Sequence, residues 1–303
     1  MDRLIAMIKK TGNPTVFGLD PRLSFVPQHL QDRSFERYGR TARGAAHAIL
    51  HFNYGLIDAL AGIVPCVKPQ SAYYEMYGID GLKTLKKTID YAKEKGLYVL
   101  LDVKRNDIGS TAEAYATAYL GETDLGNGMH ERMFDCDGVT VNGYLGTDGI
   151  RPFADACKQY DKSCFVLVKT SNPSSGELQD VSCGDEMVCE KMAQLVEQWG
   201  ADSIGEYGYS RVGAVVGATW PQQAEKLRAM MPHTYFLVPG YGAQGGGAKD
   251  VIVNFNKDGL GAIVNSSRAI MCAYQKGDWQ PEAYAEAARA EAIRMRDEIT
   301  ALL

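Results

Sequence analysis

The chain lacks several features that would assign it quickly. Its seven cysteines, at 66, 136, 157, 164, 183, 189 and 272, form no Cys-x-x-Cys pair. Zinc-ribbon and thioredoxin-type readings therefore fail, and the scattered set reads as small buried hydrophobes in a reducing compartment. Long apolar runs are missing too. The longest uncharged stretch, Ala229 to Ala248, is broken by Pro232, His233, Pro239 and several glycines, which excludes it as a transmembrane helix. The N-terminal segment MDRLIAMIKK holds too short an apolar stretch for a signal peptide. A soluble cytoplasmic protein is expected, with no membrane partner. Positive charge is not in excess either: 32 Lys+Arg against 37 Asp+Glu leave a formal net charge of −5. Nucleic-acid binding, which needs a clustered basic surface, is disfavoured. An anionic ligand has to be met by a few placed Lys or Arg. The chain has no Walker A motif, no G-x-S-x-G and no H-E-x-x-H.

What is present is a regular alternation. Short apolar, often β-branched runs lie at Thr15–Leu19, Ile63–Val67, Tyr98–Val103, Gly138–Val141, Cys164–Val168, Gly213–Val216, Tyr235–Val238 and Gly261–Val264. Longer amphipathic stretches separate them, among them Thr41–Ala61, Leu82–Lys95, Thr111–Leu120, Asp185–Gln198 and Pro221–Met231. A tail rich in Ala, Glu and Arg, Pro281–Leu303, opens on a proline and reads as a final helix. Eight strands with helices between them fit a (β/α)₈ TIM barrel; a doubly wound open sheet is the alternative. With 303 residues and no internal linker, one domain spanning 1–303, with helical extensions at both ends, is expected. Leu120–Asp137 and Ser171–Gly184 are long for barrel connections, and such loops often cover sites.

A barrel places its chemistry at the C-terminal strand ends. There stand Asp20, Lys68, Asp102 and Lys104 with Asp107 beyond, Asn142, Thr170 and Ser171, Pro239 and Gly240, and Asn265, Ser266 and Arg268. Residues two apart share a strand face, so Asp102 and Lys104 are expected to point the same way. With Lys68 and Asp107 they make an alternating Lys/Asp array, either a structural ion-pair cluster or a site that holds an ammonium ready to act as a general acid. The segment Pro239–Gly240–Tyr241–Gly242–Ala243–Gln244–Gly245 suits close approach of backbone to a phosphate, and Arg268 is placed to fork onto the same group. Gly240, Gly242 and Gly245 also match G-x-G-x-x-G, but after the seventh strand, where a dinucleotide fingerprint does not belong. His47 and His51 are four apart without a third ligand and read as solvated helix histidines. Tyr73, Tyr74 and Tyr77 read as packing or interface residues.

These motifs resemble one family. Asp102–Val–Lys104–Arg–Asn–Asp107–Ile108–Gly–Ser–Thr111 is the most specific element. Phe17–Gly–Leu–Asp20–Pro, Val67–Lys68–Pro, Thr170–Ser171–Asn–Pro and Val238–Pro239–Gly240 followed by Gln244 support it. Across nearly its whole length the chain resembles the orotidine 5′-phosphate decarboxylases, in their longer bacterial (type 2) form. The resemblance implies a (β/α)₈ barrel acting as a homodimer with shared sites, without metal or organic cofactor. It would convert orotidine 5′-monophosphate to uridine 5′-monophosphate and CO₂, the last step of de novo UMP synthesis. Lys104 would donate the proton to C6 and Asp102 would face the substrate carboxylate, with Lys68 and Asp107 completing the network. Asp107, Ile108 and Thr111 would reach the partner subunit's site. Asp20 would bind ribose hydroxyls, Thr170 and Ser171 the pyrimidine, and Gln244 and Arg268 the phosphate. Asn142, Pro239, Gly240 and Ser267 complete the expected substrate-binding set.

Overall fold

The computed structural model describes residues 1–242 and 245–303. Its eight main strands are β1 (Thr15–Leu19), β2 (Cys66–Pro69), β3 (Tyr98–Arg105), β4 (Gly138–Val141), β5 (Ser163–Lys169), β6 (Val212–Val216), β7 (Phe236–Val238) and β8 (Ala262–Ser266). They run in chain order round a closed barrel, each beside its neighbours in sequence. This is the expected (β/α)₈ class. The helices of two turns or more are α1 (Asp2–Thr11), α2 (Gln28–Tyr38), α3 (Ala42–Leu60), α4 (Gly78–Glu94), α5 (Gly109–Leu120), α6 (Thr147–Tyr160), α7 (Val188–Gly200), α8 (Pro221–Met230) and α9 (Tyr284–Thr300). α1 and α9 are the first and last of them. Strands β1, β2, β4 and β6 are buried at every position. A parallel strand covered on both faces needs this, and it explains why their sequences read as continuous apolar runs rather than alternating ones.

The chain divides into two compact units, one of Met7–Asp102 and Ser266–Thr300, the other of Met1–Ala6, Val103–Asn265 and Ala301–Leu303. Of the four divisions, Asp102/Val103 falls inside β3, Asn265/Ser266 inside β8, Ala6/Met7 inside α1 and Thr300/Ala301 at the end of α9. In the first unit β1 pairs with β2 from Val16–Cys66 to Leu19–Pro69, which sets Asp20 and Gln70 at adjacent strand ends. α3 starts at Thr41, whose hydroxyl accepts the backbone N–H of Gly44 and satisfies one orphan donor of the first turn. Its buried Asn53 donates to Tyr74 Oη at 2.9 Å and Thr88 Oγ1 at 3.1 Å, tying the segment after β2 to α4. His47 and His51 depart from the expectation of solvated side chains. Both are half-buried, and their Nε2 atoms lie 3.2 Å apart.

In the second unit β5 pairs with β4 and β6. The β5–β6 register slips: Val215 faces Leu167, but Val216 faces Lys169. Such a bulge re-aims the side chains beyond it. The long segment after α5 is an antiparallel pair, Thr123–Gly126 with Met129–Glu131. The loop after β5 holds a 3₁₀ turn (Pro173–Ser175), a short helix (Gly176–Gln179) and a two-residue strand, Ser182–Cys183, paired with Glu186–Met187. Of the seven cysteines only Cys183 is exposed. Among the described residues no helix is long and apolar enough to cross a membrane.

Candidate active site

In the first unit the strand ends bring three expected residues together. The Lys68 ammonium donates to Asp102 Oδ2 at 2.8 Å and lies 4.0 Å from Asp20 Oδ1. Lys68 and Asp102 are 4% and 6% exposed, so both charges are withdrawn from water. Burial alone drives a lysine toward its neutral form. Here the two carboxylates, Asp102 before Asp20, outweigh it and hold the Lys68 ammonium above its ordinary range. A buried cation is thus kept fully charged. Asp20 Oδ1 is buried without a hydrogen bond, as is Ser266 Oγ at the end of β8.

Beside Asp20 opens a cavity of ≈ 260 Å³ whose walls include the expected Ser267 and Arg268. Arg22, Phe25, Tyr73 and Met271, none of them among the expected site residues, also line it. Arg22 donates to Tyr73 Oη at 3.3 Å, and its guanidinium lies 5.4 Å from the Tyr73 ring centre. Arg268 approaches the Phe25 ring at 6.0 Å. Two guanidinium groups thus share one cavity, enough positive charge to neutralise a phosphate locally in an acidic protein. Position was the one signal for Arg22, two residues beyond Asp20 at a strand end.

In the second unit Lys104 stands exposed near the end of β3 with φ +46°, in the left-handed region that side-chain-bearing residues rarely adopt. Its backbone N–H donates to Thr140 Oγ1 on β4 at 3.0 Å. The expectation that it continues the strand alternation assumed regular geometry, and the positive φ ends that regularity. Asp107 is half-buried and accepts the Ile108 N–H at 2.8 Å. Ile108 is 52% exposed, a large apolar side chain facing outward, and Thr111 is exposed on the first turn of α5. Asn142 follows β4 and accepts the Tyr144 N–H at 3.0 Å.

Thr170 and Ser171 leave β5 under tight control. Gln179 accepts the Thr170 N–H and donates to its Oγ1, both at 2.9 Å, and the Trp220 indole donates to the Thr170 carbonyl at 3.2 Å. Thr219 Oγ1 donates to the Ser171 carbonyl at 3.2 Å. Pro239 accepts the Ala218 N–H at 2.9 Å. Gly240 follows with φ +104°, a conformation open to glycine at little cost. The expected phosphate ligand Gln244 lies outside the described residues. Among the described residues no group of three or more His, Cys, Asp and Glu could hold a metal ion.

Comparison with known proteins identifies the family. The family described as orotidine 5′-phosphate decarboxylase / HUMPS matches residues 52–281. The orotidine 5′-phosphate decarboxylase of Rhodopirellula baltica is 43% identical over 301 residues, covering 98% of this chain and 97% of its own. That of Clostridium novyi is 39% identical over 300 residues, covering 99% and 98%. The solved structure of Leishmania donovani OMP decarboxylase superposes with a TM-score of 0.74 at 29% identity, covering 99% of this chain and 97% of that one. The chain belongs to the orotidine 5′-phosphate decarboxylase / HUMPS family.

Proposed function

We propose that this protein decarboxylates orotidine 5′-monophosphate to uridine 5′-monophosphate without a cofactor, Lys104 supplying the proton. The observation that carries the reading is the buried Lys68 ammonium, 2.8 Å from Asp102 and 4.0 Å from Asp20, in a chain whose full-length relatives bear that enzyme's name. When the C6–carboxylate bond breaks, the electron pair stays on C6 and CO₂ departs. The Lys104 ammonium stabilises the developing charge and then delivers its proton to C6; water reprotonates the amine. Asp102 faces the departing carboxylate. Lys68, fixed by Asp102, reaches the ribose together with Asp20, whose unsatisfied Oδ1 suits a sugar hydroxyl. Arg268 and Ser267 line the cavity beside Asp20 and take the phosphate, with Gln244, Pro239 and Gly240 from the other phosphate loop. Thr170, Ser171 and Asn142 contact the base.

The 303 residues are read as one barrel domain, since all four divisions between the compact units fall inside or at the end of a helix or strand rather than in a linker. They pair as a cytoplasmic homodimer in which Asp107, Ile108 and Thr111 complete the partner's site. The exposure of Ile108 and Thr111 supports that reading. The test is direct: orotidine 5′-monophosphate absorbance should fall on mixing with protein and go on falling in EDTA. Loss of activity in EDTA that Mg²⁺ restores would favour the metal-dependent enediolate chemistry of other phosphosugar enzymes instead.

A further inference from the structure

β5 ends on a charge that the proposed reaction does not use. Lys169 is fully buried, at 0% exposure. An uncompensated ammonium there would be very costly, so its partner matters. The β5–β6 slip at Val215/Val216 sets its register. Its ammonium donates to both carboxylate oxygens of Asp180, at 2.7 and 2.8 Å, and sits 5.0 Å from the Trp220 ring centre. Gln223 donates to Asp180 Oδ1 at 2.9 Å from α8. Asp180 closes the short helix Gly176–Gln179. Its neighbour Gln179 is the residue that grips Thr170 by backbone and hydroxyl. Trp220, beside the ammonium, is the residue that grips the Thr170 carbonyl. On the remaining side, a Cβ at Gly217 would come within 2.8 Å of the Ser171 backbone. Thr170 Oγ1 also donates to Asn172 Oδ1 at 2.6 Å, a bond within the loop itself, but the bonds that tie Thr170 to the rest of the unit come from Gln179 and Trp220, both next to the Lys169–Asp180 pair.

We propose that the Lys169–Asp180 pair is a latch that ties the loop after β5 to the barrel and sets Thr170 and Ser171 for the pyrimidine. Both are positioning residues; neither touches the reacting atoms. The inference rests on the reading that Thr170 and Ser171 contact the base. It predicts an effect confined to ligands that carry a base, which a general loss of stability would not produce.

The experiment measures binding of uridine 5′-monophosphate and ribose 5-phosphate to wild type and to Asp180→Asn, with folding checked by circular dichroism. The variant should bind uridine 5′-monophosphate about tenfold more weakly, the fold-change of one misplaced hydrogen bond. Its affinity for ribose 5-phosphate should be unchanged. If Asp180→Asn does not fold, Lys169→Met/Asp180→Leu removes both charges, leaves no buried ion without a partner, and should show the same selective loss. Equal losses for the two ligands, or none, would overturn the latch. If wild type binds neither ligand, the nucleotide site itself is wrong and the latch falls with it. If wild type binds the nucleotide and Asp180→Asn does so equally well, only the latch fails.

Discussion

Lys68 and Asp102 form a 2.8 Å ion pair with both side chains almost wholly withdrawn from water. The pair is asymmetric. Lys68 has one further carboxylate, Asp20, at 4.0 Å, and that group is itself partly exposed. Asp102 also anchors backbone, since its carbonyl accepts the Ser71 N–H at 3.2 Å.

Asp102→Asn keeps the shape and removes the near charge. Lys68 then remains buried with Asp20 alone, and the fold should lose about 2–5 kcal/mol. Turnover of orotidine 5′-monophosphate should fall below detection. Because the Lys68 proton is held more tightly in the fold than in the unfolded chain, the stabilisation is whole below the ordinary lysine value of 10.5 and is lost as pH rises past it. Denaturant unfolding at pH 7 and pH 11 checks both points. A variant as stable as wild type at pH 7 would show that the pair contributes nothing.

Lys104 carries the proposed proton and also sits at φ +46°. Its backbone bond to Thr140 needs no side chain, so substitution should spare the strand end. Both Lys104→Ala and Lys104→Gly should abolish turnover. Their stabilities should invert the usual order, glycine exceeding alanine by about 1 kcal/mol, because only glycine adopts positive φ without strain. Thermal unfolding reads the order and absorbance decay the activity. Measurable decarboxylation by either variant would remove the lysine from the mechanism.

β1 and β4 begin and end where expected, since Thr15–Leu19 and Gly138–Val141 are short apolar runs with sharp polar flanks. β2 was expected at Ile63–Val67 but occupies Cys66–Pro69, because an apolar run that continues past the strand does not reveal where pairing starts. No helix is among those expected over 147–160, where α6 runs through Pro152, a residue that disfavours a helix interior. The Asp102–Asp107 motif was legible because its residues are contiguous. The cavity was half legible. Arg22 and Phe25 lie close to Asp20 in sequence, but Tyr73 and Met271 reach the same cavity only through tertiary packing, and the Lys169–Asp180 latch sits beside a register slip that no periodicity announces.

Arg268 lines the cavity beside Asp20, exposed and about 6 Å from Phe25. Charge-assisted bonds to phosphate are worth about 1.5–3 kcal/mol, so Arg268→Ala should raise KM about 10- to 100-fold. Orotidine, which lacks the phosphate, should react equally slowly with wild type and variant. A KM ratio that is the same for both substrates would exclude Arg268 from the phosphate grip.

The histidine pair on α3 predicts an acid sensitivity separate from catalysis. The Ser34 hydroxyl donates to the Leu30 carbonyl at 2.8 Å, so it accepts from His47 Nδ1–H at 3.0 Å. His47 Nε2 then carries the lone pair and takes the Nε2–H of His51. Protonation would set two N–H groups against each other. Burial, followed by the charges of His51, Arg37, Arg33 and Lys87, pushes His47 down from 6.5 to about 4. Burial and the same two arginines also lower His51. Between those pH values the unfolded chain binds more protons than the folded one, so stability should fall as pH drops from 6.5 toward 4. His47→Gln removes the titrating ring and should flatten that fall without changing turnover at pH 7. Unfolding temperatures of wild type and variant at pH 7 and pH 4.5 decide it; an equal drop in both would mean that the acid sensitivity arises elsewhere.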